Sequence, residues 1–350
     1  MTNLDITQLR LYNQHVSHQI FKKPGEIVKW LGAVQAQDYA GAKWALGLRL
    51  QEMTDAAIDE ALANGSIIRT HVLRPTWHFV SPDDARWMIE LTAPRINALG
   101  AVAFRQVQLD DAIFRRSNDA LAKALEGGKR LERDAMKAVL QAAGVITDDI
   151  RFIHLLMRAE LDKVICSGGR QGKQFTYALF DDRVPMSGPL VCEEALSKLA
   201  RQYFISRGPA TLRDFTWWSG LSGVDARLGL EIVKPELSKI TVEGIEYWMA
   251  VDNQPVTDRS STAYLLPAFD EYAVAYKDRT AIVNPLYLKQ ARYVIFDPVM
   301  VVNNQVAGTW KRAMKKNAID ITLSPFGKLT KAQAKAIETA AGRYRKFINP

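Results

Sequence analysis

Cysteine is scarce in this 350-residue chain: only Cys166 and Cys192 occur, each beside apolar residues. Two thiols make no disulfide framework, and a reducing compartment is the simpler expectation. No Cys/His group has the spacing of a zinc site. Long apolar runs are missing too, so no stretch reaches the length of a bilayer-spanning helix. The opening residues, Met1-Thr2-Asn3-Leu4-Asp5, lack the basic-then-apolar order of a secretory leader. Low-complexity linkers are absent. Together these gaps exclude disulfide-stapled, zinc-organised and membrane-spanning classes, and the expectation is a cytoplasmic protein with no membrane partner.

What is present is a basic, ordinary globular composition. Forty-six Lys and Arg against 38 Asp and Glu give a net charge of +8, which favours an acidic partner such as nucleic acid, a solvated basic face being the rival. The length suits roughly two to four domains.

Residues 4–18 carry Leu9, Leu11 and Val16, and residues 25–34 carry Ile27, Val28, Trp30, Leu31 and Val34. Both spacings predict amphipathic helices. Thr54 caps a further helix that stops near Gly65, and residues 67–70 and 76–80 read as strands. Helices followed by a short hairpin make a winged-helix pattern. Ser81-Pro82-Asp83-Asp84 opens the next helix, with serine as cap, proline in the first turn and acids opposing the dipole. The pattern returns with Leu131, Met136, Val139 and Leu140 on one helix and Ile150, Ile153, Leu156 and Met157 on another. Strands at 164–167 and 175–179 then flank a glycine-rich turn, 168–174, whose tip carries Arg170 and Lys173. A third pass starts at Glu193 and ends in a tight hairpin at Glu243-Gly244. Three such units predict duplicated winged helices; the rival is an α-rich chain with several hairpins. From about Ser260 the composition turns toward β, with strands expected at 264–267, 293–296, 299–302 and 319–323. A last helix, about 330–347, ends in Arg343, Arg345 and Lys346, cations placed to oppose its dipole.

Where the second helix gives out, Leu31-Gly32-Ala33-Val34-Gln35-Ala36-Gln37-Asp38-Tyr39 brings two glutamines one alanine apart. Side chains at i and i+2 share a face in an extended segment and lie nearly opposite on a helix. Whether the helix has ended by Gln35 therefore decides whether the amides act together, and the sequence leaves both open. A primary amide offers one acceptor and two donors and does not titrate near neutral pH. A pair can grip a water, a sugar or a base edge, but it cannot take a proton as a true general base. Alone, so short a pattern arises easily at the end of a solvent-facing helix.

Its setting adds weight. Trp44-Ala45-Leu46-Gly47-Leu48-Arg49 follows, then Arg69-Thr70-His71-Val72-Leu73-Arg74-Pro75-Thr76-Trp77-His78-Phe79. Later come Gly208-Pro209-Ala210-Thr211-Leu212-Arg213-Asp214-Phe215 with Trp217-Trp218-Ser219-Gly220-Leu221, Leu265-Leu266-Pro267-Ala268-Phe269-Asp270-Glu271-Tyr272 with Tyr276-Lys277-Asp278-Arg279, and Gly308-Thr309-Trp310. In that order, and over nearly the whole chain, these segments resemble the winged-helix DNA glycosylases of the AlkZ family. The resemblance implies a mainly α fold with β hairpins (α+β): three tandem winged helix-turn-helix units and a small C-terminal β-barrel-like domain. The expected boundaries are 1–105 for the first unit with the Q-A-Q motif, 106–188, 189–258, and 259–350 for the barrel-like domain with its terminal helix. In that family the catalytic signature is glutamine, an aliphatic residue, then glutamine or aspartate. Gln35-Ala36-Gln37 matches the two-glutamine form. The implied activity is a monofunctional DNA glycosylase that excises N7-alkylated purines, in some members from interstrand crosslinks, from double-stranded DNA. No metal, organic cofactor or obligate protein partner is implied.

Alkylation at N7 makes the purine cationic, so the base leaves neutral without an enzyme acid. What remains is to stabilise an oxocarbenium-like sugar and to place a water, roles expected of Gln35 and Gln37. Asp38 and Asp270-Glu271 are the candidate carboxylates if an acid takes part, a cap or surface ion pair being the plainer reading. Candidate DNA or lesion contacts are Asp38 and Tyr39 beside the motif, then His71, Arg74, Trp77 and His78 on the first hairpin. Further candidates are Arg170 and Lys173 on the second hairpin, and Trp310, Lys311 and Arg312, with Lys315 and Lys316 beyond. For the histidines and tryptophans a core role is the alternative. The competing function is a non-enzymatic DNA-binding protein such as a transcriptional regulator, since winged helices bind more widely than they catalyse.

Overall fold

The computed structural model describes residues 2–251, 262–315 and 319–349. The expected boundary at 258/259, the turn toward β at about Ser260, and Lys316 lie outside the described residues. Helix α1 (Asn3–Asn13) is followed by α2 (Pro24–Leu31), which starts on a proline and stops at Gly32. Gly32 has φ +73°, a left-handed conformation that favours glycine, and a β-carbon there would press on the Gln202 side chain at 3.1 Å. The helix therefore ends before Val34, and the chain turns into strand β1 (Ala33–Gln35). Helix α3 (Tyr39–Arg49) comes next, unforeseen in the pattern because residues 41–49 are all buried, which leaves no polar face for a periodicity to reveal. After α4 (Asp55–Asn64) come β2 (Ile68–Val72) and β3 (Arg74–Val80), and the antiparallel sheet has the order β1-β3-β2.

The second stretch holds α5 (Pro82–Gln106), α6 (Asp111–Leu125), β4 (Leu131–Glu132), α7 (Arg133–Ala142), α8 (Asp149–Leu161), β5 (Ile165–Gln171) and β6 (Gln174–Leu179). Leu131 is thus in a strand, paired with Tyr177, and not on the helix. On α8 the buried side chains include Phe152, Leu155, Leu156 and Ala159, whereas Ile150 and Ile153 are exposed, so the expected apolar set mixes two faces. The glycine-rich turn is tighter than expected: the β5–β6 ladder runs out to Gln171 and Gln174, leaving Gly172-Lys173 as the tip and Arg170 inside the ladder. The third stretch is α9 (Cys192–Arg207), α10 (Leu212–Ser219), α11 (Gly223–Val233) and the hairpin β7 (Leu237–Val242) with β8 (Ile245–Ala250).

The remaining elements are β9 (Ala263–Leu266), α12 (Glu271–Val274), α13 (Leu288–Val294), β10 (Val299–Val302), β11 (Gln305–Met314), β12 (Ile319–Pro325) and α14 (Lys331–Ile348). Their antiparallel sheet has the order β12-β11-β10-β9 and stays open, so the expected barrel does not close among the described residues. Helix α14 packs along β9 instead and shields that edge in the way closure would. The strand expected at 293–296 is also absent: Tyr293 and Val294 end α13, with Tyr293 largely exposed. Arg343 of α14 does not serve its own helix end. It donates to the carbonyls of Gly47, Leu48 and Leu50 at the end of α3.

Two hydrophobic cores meet at the first sheet. Ala33, Ile68, Val72 and Val80 belong to a core shared with the second and third stretches, while Val34, Ala36 and Phe79 belong to one shared with the C-terminal sheet. Alternate residues of β1 face alternate cores, as a strand's period of two requires. The architecture is a mixed one of helices and antiparallel strands, with the glutamine segment lodged between these two larger cores.

Candidate active site

The extended arrangement is the one the chain adopts. Gln35 is paired with His78 in the β1–β3 ladder, and the Ala36 N–H still donates to the Trp77 carbonyl at 2.7 Å before the chain bends at Gln37 and Asp38. A buried ion pair fixes the strand. Glu271 Oε2 accepts from Arg207 Nε and Nη2 at 3.0 and 2.7 Å and from Trp218 Nε1 at 3.2 Å, while its Oε1 accepts the Gln35 N–H at 2.9 Å. Arg207 also donates to the carbonyls of Leu31 and Ala33. An interior carboxylate and guanidinium cost several kcal/mol to desolvate and are tolerated when their hydrogen bonds are met. Here the pair serves the main chain that leads into the motif.

The two amides meet different surroundings. Gln35 is half-buried, and its Oε1 accepts from Arg74 Nη2 at 3.1 Å. Arg74 is itself mostly buried, which lowers its pKa, with Glu271 opposing that shift. Gln37 is exposed and, among the described residues, no hydrogen bond holds its side chain. Asp38 begins α3 and is exposed; the helix passes so close that a β-carbon on Gly41 would meet Asp38 Oδ2 at 2.6 Å and Pro267 at 3.3 Å. Tyr39 donates to Asp59, a carboxylate that also takes Lys43 at 2.8 Å, and its ring lies edge-on to Phe175 at 4.8 Å. Burial and the bond to Asp59 push the Tyr39 phenol up, so it stays a donor. An amide held by Arg74 and an exposed amide with no hydrogen bond among the described residues suit the placing of a small polar group such as water.

A family model described as DNA glycosylase AlkZ-like matches residues 28–347. The chain belongs to the AlkZ-like DNA glycosylase family. It is thereby an enzyme of N-glycosyl bonds in DNA repair. The chain is similar to an interstrand DNA cross-link repair glycosylase from Streptomyces sahachiroi, with 22% identity over 95% of this chain and 92% of the relative. The solved structure of the Streptomyces sahachiroi DNA glycosylase AlkZ has the same fold, with TM-score 0.82 and 20% identity over 99% of this chain and 96% of that one.

Within this AlkZ-like chain several expected contacts are placed differently. Trp310 is a core residue: it is 3% exposed, its N–H donates to the Leu266 carbonyl at 2.8 Å, and its ring packs on Tyr344 at 5.0 Å, so it offers DNA no surface. Arg312 reaches inward to the Tyr344 hydroxyl, whereas Lys311 is exposed on the other face of β11. Arg170 donates to the Lys173 carbonyl and lies over the rings of Tyr39 and Phe175, leaving Lys173 as the exposed cation of that turn. Asp270 and Glu271 are neither surface pairs nor free acids. Asp270 caps α12 and holds Arg49 through both oxygens at 2.7 and 2.8 Å, so of the three candidate carboxylates Asp38 is the one with no ion pair or side-chain hydrogen bond among the described residues. His71 is buried and donates from Nδ1 to Glu160 at 2.5 Å; Trp77, half-buried, donates to the same carboxylate at 3.4 Å. Of the hairpin candidates, Arg74 is the one whose side chain, among the described residues, hydrogen-bonds a motif side chain, that of Gln35. Sequence reasoning missed Arg69, Glu160 and Arg207. An arginine inside the apolar run Ile67-Ile68-Arg69 was the available signal, because strand alternation cannot put it in water without exposing an isoleucine.

Among the described residues no helix is long and apolar enough to cross a membrane, and no cluster of His, Cys, Asp and Glu could hold a metal ion.

His78 is wholly buried. Its Nδ1 donates to the Thr76 carbonyl at 2.9 Å, and its Nε2 has no partner among the described residues, an arrangement for a neutral ring. Burial holds it well below the ordinary value of 6.5, the Arg74 cation adds to the shift, and the bond to Thr76 opposes it. Because the folded pKa is the lower one, the unfolded chain takes up the extra proton. Stability is therefore full above about pH 6.5 and lost as pH falls below it toward the folded value. His15 and His154 are lowered in the same direction, chiefly by burial. Tm should fall between about pH 7 and about pH 5.5, and His78→Phe should make that fall shallower; an unchanged slope would remove His78 as a source.

Proposed function

We propose that this chain hydrolyses the N-glycosidic bond of N7-alkylated purines in double-stranded DNA, crosslinked purines included, with Gln37 holding the attacking water and Gln35 the fixed partner amide. The observation that carries this reading is the exposed amide of Gln37, without a hydrogen bond among the described residues, two positions from a Gln35 already engaged by Arg74. The relative named for interstrand cross-link repair supports the crosslinked substrate. Since the cationic base leaves as a neutral molecule, the protein need not protonate it. Orientation of the water under the anomeric carbon and partial charges near the sugar are what the site supplies. The Gln35 carbonyl keeps a second lone pair for the water or the sugar. Neither amide forms a covalent intermediate. The three helix-plus-hairpin units are proposed to act as winged helices on the duplex, over 1–105, 106–188 and 189–258, with 259–350 as the C-terminal domain. Lys173 and Lys311, both exposed, are the favoured phosphate contacts; Arg170 and Arg312 are engaged within the chain.

The test is release of N7-methylguanine from a methylated oligonucleotide across pH. A neutral amide has no proton to lose, so the rate should stay nearly flat from mildly acidic to mildly basic pH in incubations short enough to avoid acid unfolding. A bell-shaped profile would instead bring in a titrating group, with Asp38 the first to replace.

A further inference from the structure

We propose that Arg69 is a positioning residue for Gln37: its guanidinium fork fixes the peptide carbonyl between the two glutamines. The proposal rests on the reading of Gln37 as the amide that holds the water. Arg69 Nε and Nη2 donate to the Ala36 carbonyl at 3.2 and 3.1 Å. The Ala36 N–H is given to Trp77, so both polar groups of the alanine's main chain are fixed one residue before Gln37. The guanidinium itself lies over the Trp77 ring at 4.4 Å and the Phe175 ring at 4.9 Å, with Tyr39 farther off at 5.9 Å. Trp77 in turn is held by Glu160, which also takes the His71 N–H and Nδ1. The clamp is thus assembled from β2, β3, β6 and α8, and the second unit's hairpin takes part in placing a residue of the first.

Cost is the reason to assign this arginine more than packing. Arg69 is 8% exposed, and no carboxylate is within ion-pair distance among the described residues; Glu160 acts on it only through space. A buried guanidinium without a direct partner is expensive, and a neutral donor would satisfy one carbonyl more cheaply. What arginine adds is a planar fork that meets the oxygen with two N–H groups while lying flat against aromatic faces, which fixes direction as well as distance. Ala36 has no side chain to anchor beyond its methyl, so direction at its carbonyl passes straight into the Gln37 backbone. A one-ångström misplacement of a reacting partner is costly in rate.

The experiment is a double-mutant cycle on Arg69→Met and Gln37→Ala, with single-turnover excision of N7-methylguanine, DNA affinity and amide exchange at Ala36 as readouts. Arg69→Met should slow excision at least about fivefold at unchanged affinity, and the further loss should vanish in the Gln37→Ala background. Exchange at the Ala36 N–H should quicken by about tenfold or more as the clamp is released. Arg69→Lys, which keeps the charge with a single donor point, should fall between, and it serves as the second variant if Arg69→Met does not fold. Additive losses, an unchanged excision rate, or unchanged Ala36 exchange would each overturn the proposal while leaving the glycosylase reading intact. Absence of N7-methylguanine release by wild type would instead defeat the reading of function, and Ala36 exchange would then decide whether the clamp exists.

Discussion

Gln37→Ala is expected to lower N7-methylguanine release at least about tenfold, roughly 1.4 kcal/mol or more of transition-state stabilisation, while DNA affinity and Tm hold. The clean separation follows from the side chain's position. Gln37 is exposed and bonded to nothing described, so truncation removes no packing and strands no buried donor. Gln35→Ala should slow excision too, but less cleanly. It takes away the acceptor of Arg74 Nη2, a guanidinium whose Nε already lacks a partner, and an unpaired buried donor costs about 1–3 kcal/mol. Wild type and both variants should therefore be compared in excision, binding and thermal melting together. If excision and binding fall in step in Gln37→Ala, the residue grips DNA and does not hold the water. If wild type binds DNA and releases no N7-methylguanine, the proposed substrate falls and a different lesion must be sought for this glycosylase.

The largest stability effect is expected at Glu271. Its carboxylate, fully buried, accepts from Arg207, Trp218 and the Gln35 N–H at once. Glu271→Ala leaves Arg207 charged in the interior, the case in which breaking a buried pair costs about 3–5 kcal/mol. For units of this size that corresponds to a Tm drop on the order of ten degrees. Glu271→Gln keeps an acceptor for Gln35 and the shape of the side chain, so it should fall between. Melting curves of the three proteins check this, and a Tm for Glu271→Ala within a degree or two of wild type would mean that the Arg207 contacts to Leu31 and Ala33 suffice without it. Excision should fall along with stability, because β1 leads directly into the motif.

The elements that could be read in advance were those whose signals are local. Thr54, Ser81 and Thr330 each accept a main-chain N–H at the helix starts expected of them, and the hairpin at Glu243-Gly244 needs only its turn residues. Helix α3 escaped because burial on every side erases amphipathic periodicity. Tyr293 and Val294 misled for the opposite reason: strand-favouring residue types were placed in a short exposed helix, where propensity is a weak guide. Trp310 carried a plausible surface role until its N–H was found inside, on Leu266.

By itself, the sequence determined that this is a basic, helix-rich chain with a two-glutamine motif after an amphipathic helix, because composition, caps, turn residues and motif order are properties of neighbours along the chain. Only the tertiary structure decided that the chain is extended into the motif, that Gln35 is tied to Arg74 while Gln37 has no hydrogen bond among the described residues, and that Arg69, Arg207 and Glu271 hold the main chain there. Those partners come from strands and helices up to 236 positions away, and a buried charge finds its counterpart across space, where no local pattern records the pairing.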